Sequence, residues 1–258
     1  MRRLLSLSIA LLCVGSGCRV REEPPRPIET PGAPAKVRAP ESVAEPPEAP
    51  APPAELPRRI YRVAALGDSI TDERVGGGRY LAYLRQACPK SSFYDFGKGG
   101  DMTNQMLVRL ERDLLPARER LGLDTLIVFG GVNDLYSNIT ASRTNDRIEQ
   151  SLLAIYEKAR STGLRTVGVT VLPWGGFARY FTAERGENTR ALNAFILGQV
   201  SRGTLDVAVD AYPRLSCGEP EKLCPDFEMR RPDGLHPGPK GHEVLGALLH
   251  EQAFFDCL

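Results

Sequence analysis

The sequence predicts an α/β fold, a single three-layer α/β/α domain around a five-stranded parallel sheet. Three observations carry it. Beyond residue 57, five short runs of apolar and β-branched residues are each separated by a helical stripe, a pattern that implies right-handed crossovers between parallel strands. One of these runs, Asp124–Phe129, is almost continuously apolar, as a strand covered on both faces must be. Glycines cluster where three of the runs end, and that edge is where open α/β sheets hold ligands.

The chain divides before the fold begins. Arg2 and Arg3 precede an apolar run from Leu4 to Val14 that is too short to span a bilayer, so residues 1–17 read as a secretory signal. Gly15-Ser16-Gly17-Cys18 resembles a bacterial lipobox, although Gly15 stands where a large aliphatic residue is usual. Cys18 is the expected lipidation site, and the expected location is the cell envelope, as a periplasm-facing or outer-membrane lipoprotein. Release as a free secreted protein is the alternative. From Glu22 to Pro57 the chain holds twelve of its 21 prolines and almost no large apolar side chain. Such a segment cannot bury enough surface to offset chain entropy, so residues 18–57 read as a disordered, polyproline-like tether. Residues 58–258 form the folded domain.

Within that domain, Ile60–Leu66 is the first strand and Gly67 permits a sharp turn at its end. Gly76-Gly77-Gly78 is a loop, and residues 80–87 carry a helical apolar face. Ser92–Phe96 is the second strand. Met106, Leu107, Leu110 and Leu114 repeat at helical spacing before the third strand, Asp124–Phe129. Ile148, Leu152, Ile155, Tyr156 and Ala159 stripe the next helix, and Thr166–Leu172 is the fourth strand. Leu192, Phe195, Ile196 and Val200 mark another helix, Leu205–Val209 the fifth strand, and Val244, Leu245, Leu248 and Leu249 the last helix.

Four stretches at the strand-to-helix junctions carry chemistry: Gly67-Asp68-Ser69-Ile70-Thr71, Lys98-Gly99-Gly100-Asp101, Gly130-Gly131-Val132-Asn133-Asp134 and Asp233-Gly234-Leu235-His236-Pro237. A serine at the carboxyl edge of a sheet projects its hydroxyl into a crevice. Asp233 precedes His236 by three residues, so one tight turn lets the carboxylate hold one ring nitrogen while the other faces a substrate. Asn133 offers an amide donor that does not titrate, and Gly100 a backbone N–H with no side chain in the way. In order and spacing these stretches resemble the four motif blocks of the SGNH/GDSL hydrolases, over essentially all of the chain from about Ile60 to Leu258.

That resemblance implies the strand order 2-1-3-4-5 of a flavodoxin-like sheet and the activity of a GDSL-type esterase or lipase. It makes Ser69 the nucleophile, His236 the general base and Asp233 its orienting group. The oxyanion hole becomes Ser69, Gly100 and Asn133, with Gly97 the alternative to Gly100 because Asp95–Asp101 is unusually rich in glycine. Asp68 and Asp134 read as turn or cap residues. An acyl- or acetyltransferase acting on a cell-envelope glycan would need the same residues, and a non-catalytic binding module would predict a damaged set.

The remaining sequence narrows the partners. The formal net charge is +1, with no basic run interleaved with aromatics, so nucleic acid is not a partner. There is no metal-ligand spacing and no Gly-x-Ser-x-Gly elbow, so no cofactor is expected and an α/β-hydrolase is disfavoured. His242 and His250 read as solvated surface residues. Trp174 and Phe177, in the loop after the fourth strand, are candidate substrate-binding aromatics for a small-molecule, glycan or lipid ester. Cys217 and Cys224 bracket a short polar segment and are expected to pair, leaving Cys88 with Cys257 out of the three possible pairings. The protein is expected to act as a monomer.

Overall fold

The computed structural model describes residues 58–258; the signal segment, Cys18 and the tether lie outside the described residues. Five strands, β1 (Arg62–Gly67), β2 (Ser92–Gly97), β3 (Thr125–Phe129), β4 (Arg165–Val169) and β5 (Val207–Val209), form one parallel sheet in the order β2-β1-β3-β4-β5. This is the expected fold and strand order.

Side chains alternate across the sheet with the period of two that strands impose. Val63, Ala65, Ile127, Phe129, Val167 and Val169 join one core with α1 (Arg79–Ala87) and α7 (Pro239–Ala253), through Leu81, Leu84, Leu245 and Leu249. Ala64, Leu66, Leu126 and Val128 join the other. That second core takes Met106 from α2 (Thr103–Arg109), Leu152 and Ile155 from α5 (Asn145–Ser161), and Leu192 from α6 (Ala183–Gly198). Each fully buried Leu or Ile contributes about 1.5–3 kcal/mol relative to exposure. None of the helices among the described residues is long and apolar enough to cross a membrane.

Several boundaries differ from expectation for physical reasons. The helical stripe after β2 is one run in three parts: α2, a π turn at Leu110–Leu114, and α3 (Leu115–Leu121). Pro116 supplies no N–H to an α-helical ladder, and the wider turn lies just before it. The fourth strand stops at Val169, because the next residue serves a different purpose. Thr170 donates its N–H to the Val209 carbonyl and accepts from Ala211 N–H through Oγ1, so it fastens the exit of β5. Val200 lies past the end of α6 and is exposed. A short helix, α4 (Val132–Tyr136), and a small hairpin, β6 (Ser216–Cys217) with β7 (Glu219–Leu223), carry no periodic signal long enough to read.

Both cysteine pairs form as expected. Cys217–Cys224 closes the β6–β7 hairpin, and Cys88–Cys257 ties the end of α1 to the C-terminal residues. Beside the second bridge, Lys90 N–H donates to the Leu258 carbonyl and Leu258 N–H to that of Arg59.

Candidate active site

Register sets the site. Gly67 pairs with Gly97 on one side and with Phe129 on the other, so three strands end level with one another. The residues that follow them, Ser69, Gly100 and Asn133, therefore gather at one edge. Gly67 is required there by crowding: a Cβ would lie 2.2 Å from Thr71 Oγ1 and 2.7 Å from the Phe129 carbonyl oxygen.

The fourth stretch reaches the same edge from the loop before α7. Ser69 Oγ lies 2.8 Å from His236 Nε2, and His236 Nδ1 lies 2.6 Å from Asp233 Oδ2. The Asp233 turn is self-fastened, since Oδ1 accepts the N–H groups of Leu235 and His236 at 2.9 Å each. Partial burial raises the Asp233 carboxyl, but the hydrogen bonds from His236 and Leu235 together outweigh it and hold it below the ordinary carboxylate range. An ionised carboxylate only accepts, so Nδ1 carries the proton and Nε2 is left to accept from the Ser69 hydroxyl. The turn is held from behind by a backbone-to-backbone contact. Gly234 has φ +75°, and a Cβ on it would fall 1.9 Å from the Gly176 carbonyl carbon, so no other residue fits.

Three candidate donors lie at this edge. Asn133 Nδ2 donates one hydrogen to the Asp101 carbonyl at 2.9 Å, which fixes the amide and leaves its second N–H without an acceptor among the described residues. Among the described residues the Ser69 and Gly100 N–H groups have no acceptor, and a Cβ on Gly100 would meet nothing within 4 Å. Gly97 and Gly99 are different: their N–H groups donate to Asp95 Oδ1 and Asp72 Oδ2. Gly100 is thus the glycine with a donor to offer.

Two buried ion pairs support this arrangement and were not singled out from sequence. Arg109 donates to Asp101 at 2.5 Å and to the carbonyls of Phe96 and Gly67, so one guanidinium joins the ends of β1 and β2 to the Gly100–Asp101 turn. Asp134 accepts from Thr103 N–H and Oγ1 and pairs with Arg143 at 2.7 Å, joining α4 to the start of α2. Asp68 accepts from Ile70 N–H at 2.9 Å; its complete burial outweighs that bond and the nearby His236, and its carboxyl is pushed up to about 6.

Two expectations fail here. Trp174 is 1% exposed; its Nε1–H donates to Thr189 Oγ1 on α6 and its ring packs edge-on against Phe181. It is a core residue out of a substrate's reach, because the loop after β4 folds onto α6. Phe177 remains half-buried, in contact with Tyr136 of α4 and with Tyr180. His242 is not solvated. It is 2% exposed, its ring lies parallel to that of Tyr80, and its Nδ1 has no partner. Burial, with the nearby positive charge of Arg79 and then His236, lowers it to about 4, so it is neutral near pH 7.

A cavity of about 290 Å³ opens beside Ser69 and His236, walled mainly by Ile70, Val75, Met229, Pro237 and His242. No titratable ligand set for a metal lies in it. The one Cys/His grouping at ligand spacing among the described residues is Cys88–His250–Cys257, whose cysteines are joined in a disulfide.

The sequence model of the GDSL-like lipase/acylhydrolase family matches residues 65–244, a span that contains all four site stretches. The chain belongs to the GDSL-like lipase/acylhydrolase family. Solved GDSL-like and esterase structures share its fold. A GDSL-like lipase of Bacteroides thetaiotaomicron is 23% identical, with TM-score 0.61 over 73% of this chain and 85% of that one. A lipase/acylhydrolase of Enterococcus faecalis is 20% identical, with TM-score 0.58 over 74% and 94%. An acetylxylan esterase of Geobacillus stearothermophilus, solved as a catalytic mutant, is 18% identical, with TM-score 0.59 over 76% and 95%. At such identities the likeness is one of fold. No curated protein matches the chain significantly.

Proposed function

We propose that this GDSL-family protein hydrolyses carboxylic esters through a covalent acyl-enzyme on Ser69. The observation that carries the reading is the unbroken chain from Ser69 Oγ through His236 to Asp233. Ser69 Oγ attacks the ester carbonyl carbon while its proton passes to His236 Nε2. The carbonyl oxygen becomes an oxyanion facing the N–H groups of Ser69 and Gly100 and the free Asn133 amide hydrogen. The C–O bond to the alcohol then breaks, and the imidazolium returns its proton to the leaving oxygen. Water enters, His236 takes a proton from it, and the resulting hydroxide attacks the acyl carbon. Collapse frees the acid and restores the proton to Ser69. Asp233 stays ionised throughout and stabilises the imidazolium.

The substrate is a small-molecule or glycan ester. The acetylxylan esterases among the structural neighbours favour a glycan ester, and Phe177 with Tyr136 and Tyr180 offers aromatic surface next to the helix that carries Asn133. Export and anchoring through Cys18 are part of the same proposal, supported by the charged start, the short apolar run and the small residues before Cys18.

The test is hydrolysis of aryl esters and of acetylated xylo-oligosaccharides by the wild type and by Ser69→Ala, His236→Ala and the double variant. Each single change should lower kcat by roughly 10⁴- to 10⁶-fold, and the double little further, because the two side chains act as one unit. Wild-type activity in Ser69→Ala would refute the nucleophile; multiplicative losses would refute the partnership.

A further inference from the structure

A second cavity, of about 440 Å³, adjoins the first and is lined by Arg79, Met229, Arg230, Arg231 and Pro239. Met229 is a wall of both, so the space beside Ser69 leads past that side chain to three guanidinium groups. All three arginines are exposed, and among the described residues none is paired with a carboxylate. Of the two acids nearest in sequence, Asp233 is engaged with His236 and its own turn, and the Glu228 carboxylate lies against Gly176, 3.5 Å from a notional Cβ there. General basicity does not explain the cluster, because the chain carries 33 basic and 32 acidic residues.

Its placement adds to the charge. Arg79 is the first residue of α1, where the helix dipole already disfavours a cation, and neither α1 nor α7 has an acid in its first turn. The field of Arg79 reaches the Ser69 pocket, since it helps keep His242 neutral. Cations held together against mutual repulsion, without counter-charge and next to a catalytic crevice, fit an anion supplied by the substrate, and guanidinium groups hold carboxylate or phosphate in paired hydrogen bonds. The wall between the arginines and Ser69 is largely apolar, which sets the spacing such a substrate must have.

We propose that this arginine cavity receives an anionic group of the ester substrate, a carboxylate or phosphate separated from the scissile carbonyl by an apolar segment that lies beside Ser69. The inference rests on the ester-hydrolase reading and narrows it from esters in general to acidic ones.

Two matched pairs test it. Mono-4-nitrophenyl suberate against 4-nitrophenyl octanoate places the charge on the acyl side. On the alcohol side, 8-acetoxyoctanoate and 8-acetoxyoctyl phosphate are compared with octyl acetate, and the two anions separate carboxylate from phosphate. In at least one comparison the acidic ester should have kcat/KM higher by about tenfold, equivalent to about 1.4 kcal/mol, mostly through KM. The preference should shrink in about 0.5 M salt, where exposed charges are screened. In the Arg79→Gln, Arg230→Gln, Arg231→Gln triple variant the ratio of acidic to neutral ester should fall to about one. Neutral esters equal or better on both sides, or a preference that survives the triple variant, would overturn the proposal. If every ester is inert the hydrolase reading fails separately, and calorimetric titration with suberate still decides: binding lost in the triple variant supports the anion site. Absent or unchanged binding refutes it.

Discussion

His242→Phe should make the protein more resistant to acid. In the folded state His242 is buried, stacked on Tyr80 and lowered to about 4, against an ordinary value of 6.5. An unfolded chain takes up the proton near 6.5, whereas the native chain resists it until about 4. Between those values the unfolded state binds more protons, so stability present above pH 6.5 is lost as the pH falls. Integrated from pH 7.5 to 4.5, that difference is about 2.5 kcal/mol at 1.36 kcal/mol per unit. Phenylalanine keeps an aromatic ring against Tyr80, removes the partnerless Nδ1 and binds no proton. The variant should therefore gain about 2.5 kcal/mol on the wild type over that interval, roughly 5–10 °C in Tm for a domain of this size. Thermal unfolding of both proteins at half-unit pH steps measures it, and the difference between the curves cancels every other titrating group. Parallel curves would refute a neutral, buried His242.

Three further outcomes follow from the same geometry. Asn133→Ala should lower kcat about 10²- to 10³-fold with little change in KM, measured on an aryl ester at saturation, since the proposed oxyanion hole loses one of its three donors. Replacing Cys88 and Cys257 by serine opens a loop of sequence separation 169 and should cost about 5 kcal/mol in the chain-entropy description. The Cys217, Cys224 pair, with separation 7, should cost about 2 kcal/mol, and denaturant titration of the two double variants should rank them in that order. Mass spectrometry of the protein from membranes should find Cys18 as an acylated N-terminus; an unmodified N-terminus with soluble protein would exclude the anchor.

The fold was legible because its signal is local. A parallel strand covered on both faces is a run of apolar residues whatever it packs against, and Leu126–Phe129 shows that run without help from the rest of the chain. The four stretches of the candidate site were legible for a related reason: each is a short string with its own turn, and the sheet only brings the strings together. Arg109 with Asp101, and Asp134 with Arg143, left no such trace. Their partners lie 8 and 9 residues apart, and the carbonyls that Arg109 holds belong to two different strands. A buried guanidinium that ends three backbone segments looks in sequence like any surface arginine in a helix.

The two misread side chains show where pattern could have gone further and where it could not. His242 lies three residues before Leu245 and seven before Leu249, so it occupies the same helical face as the buried stripe of α7. Reading the stripe back by one turn puts it in the core, where burial disfavours the charged imidazole and keeps it neutral near pH 7. Trp174 offered no such spacing. Its burial depends on Thr189, fifteen residues later, meeting the indole N–H, and on Phe181 closing over the ring. A lone tryptophan among glycines after a strand looks the same whether the loop lies open or folds back. On its other side the loop packs closely on the histidine turn, where a Cβ on Gly234 would fall 1.9 Å from the Gly176 carbonyl carbon. The loop that buries Trp174 against α6 thus also packs, through Gly176, on the turn that carries Asp233 and His236.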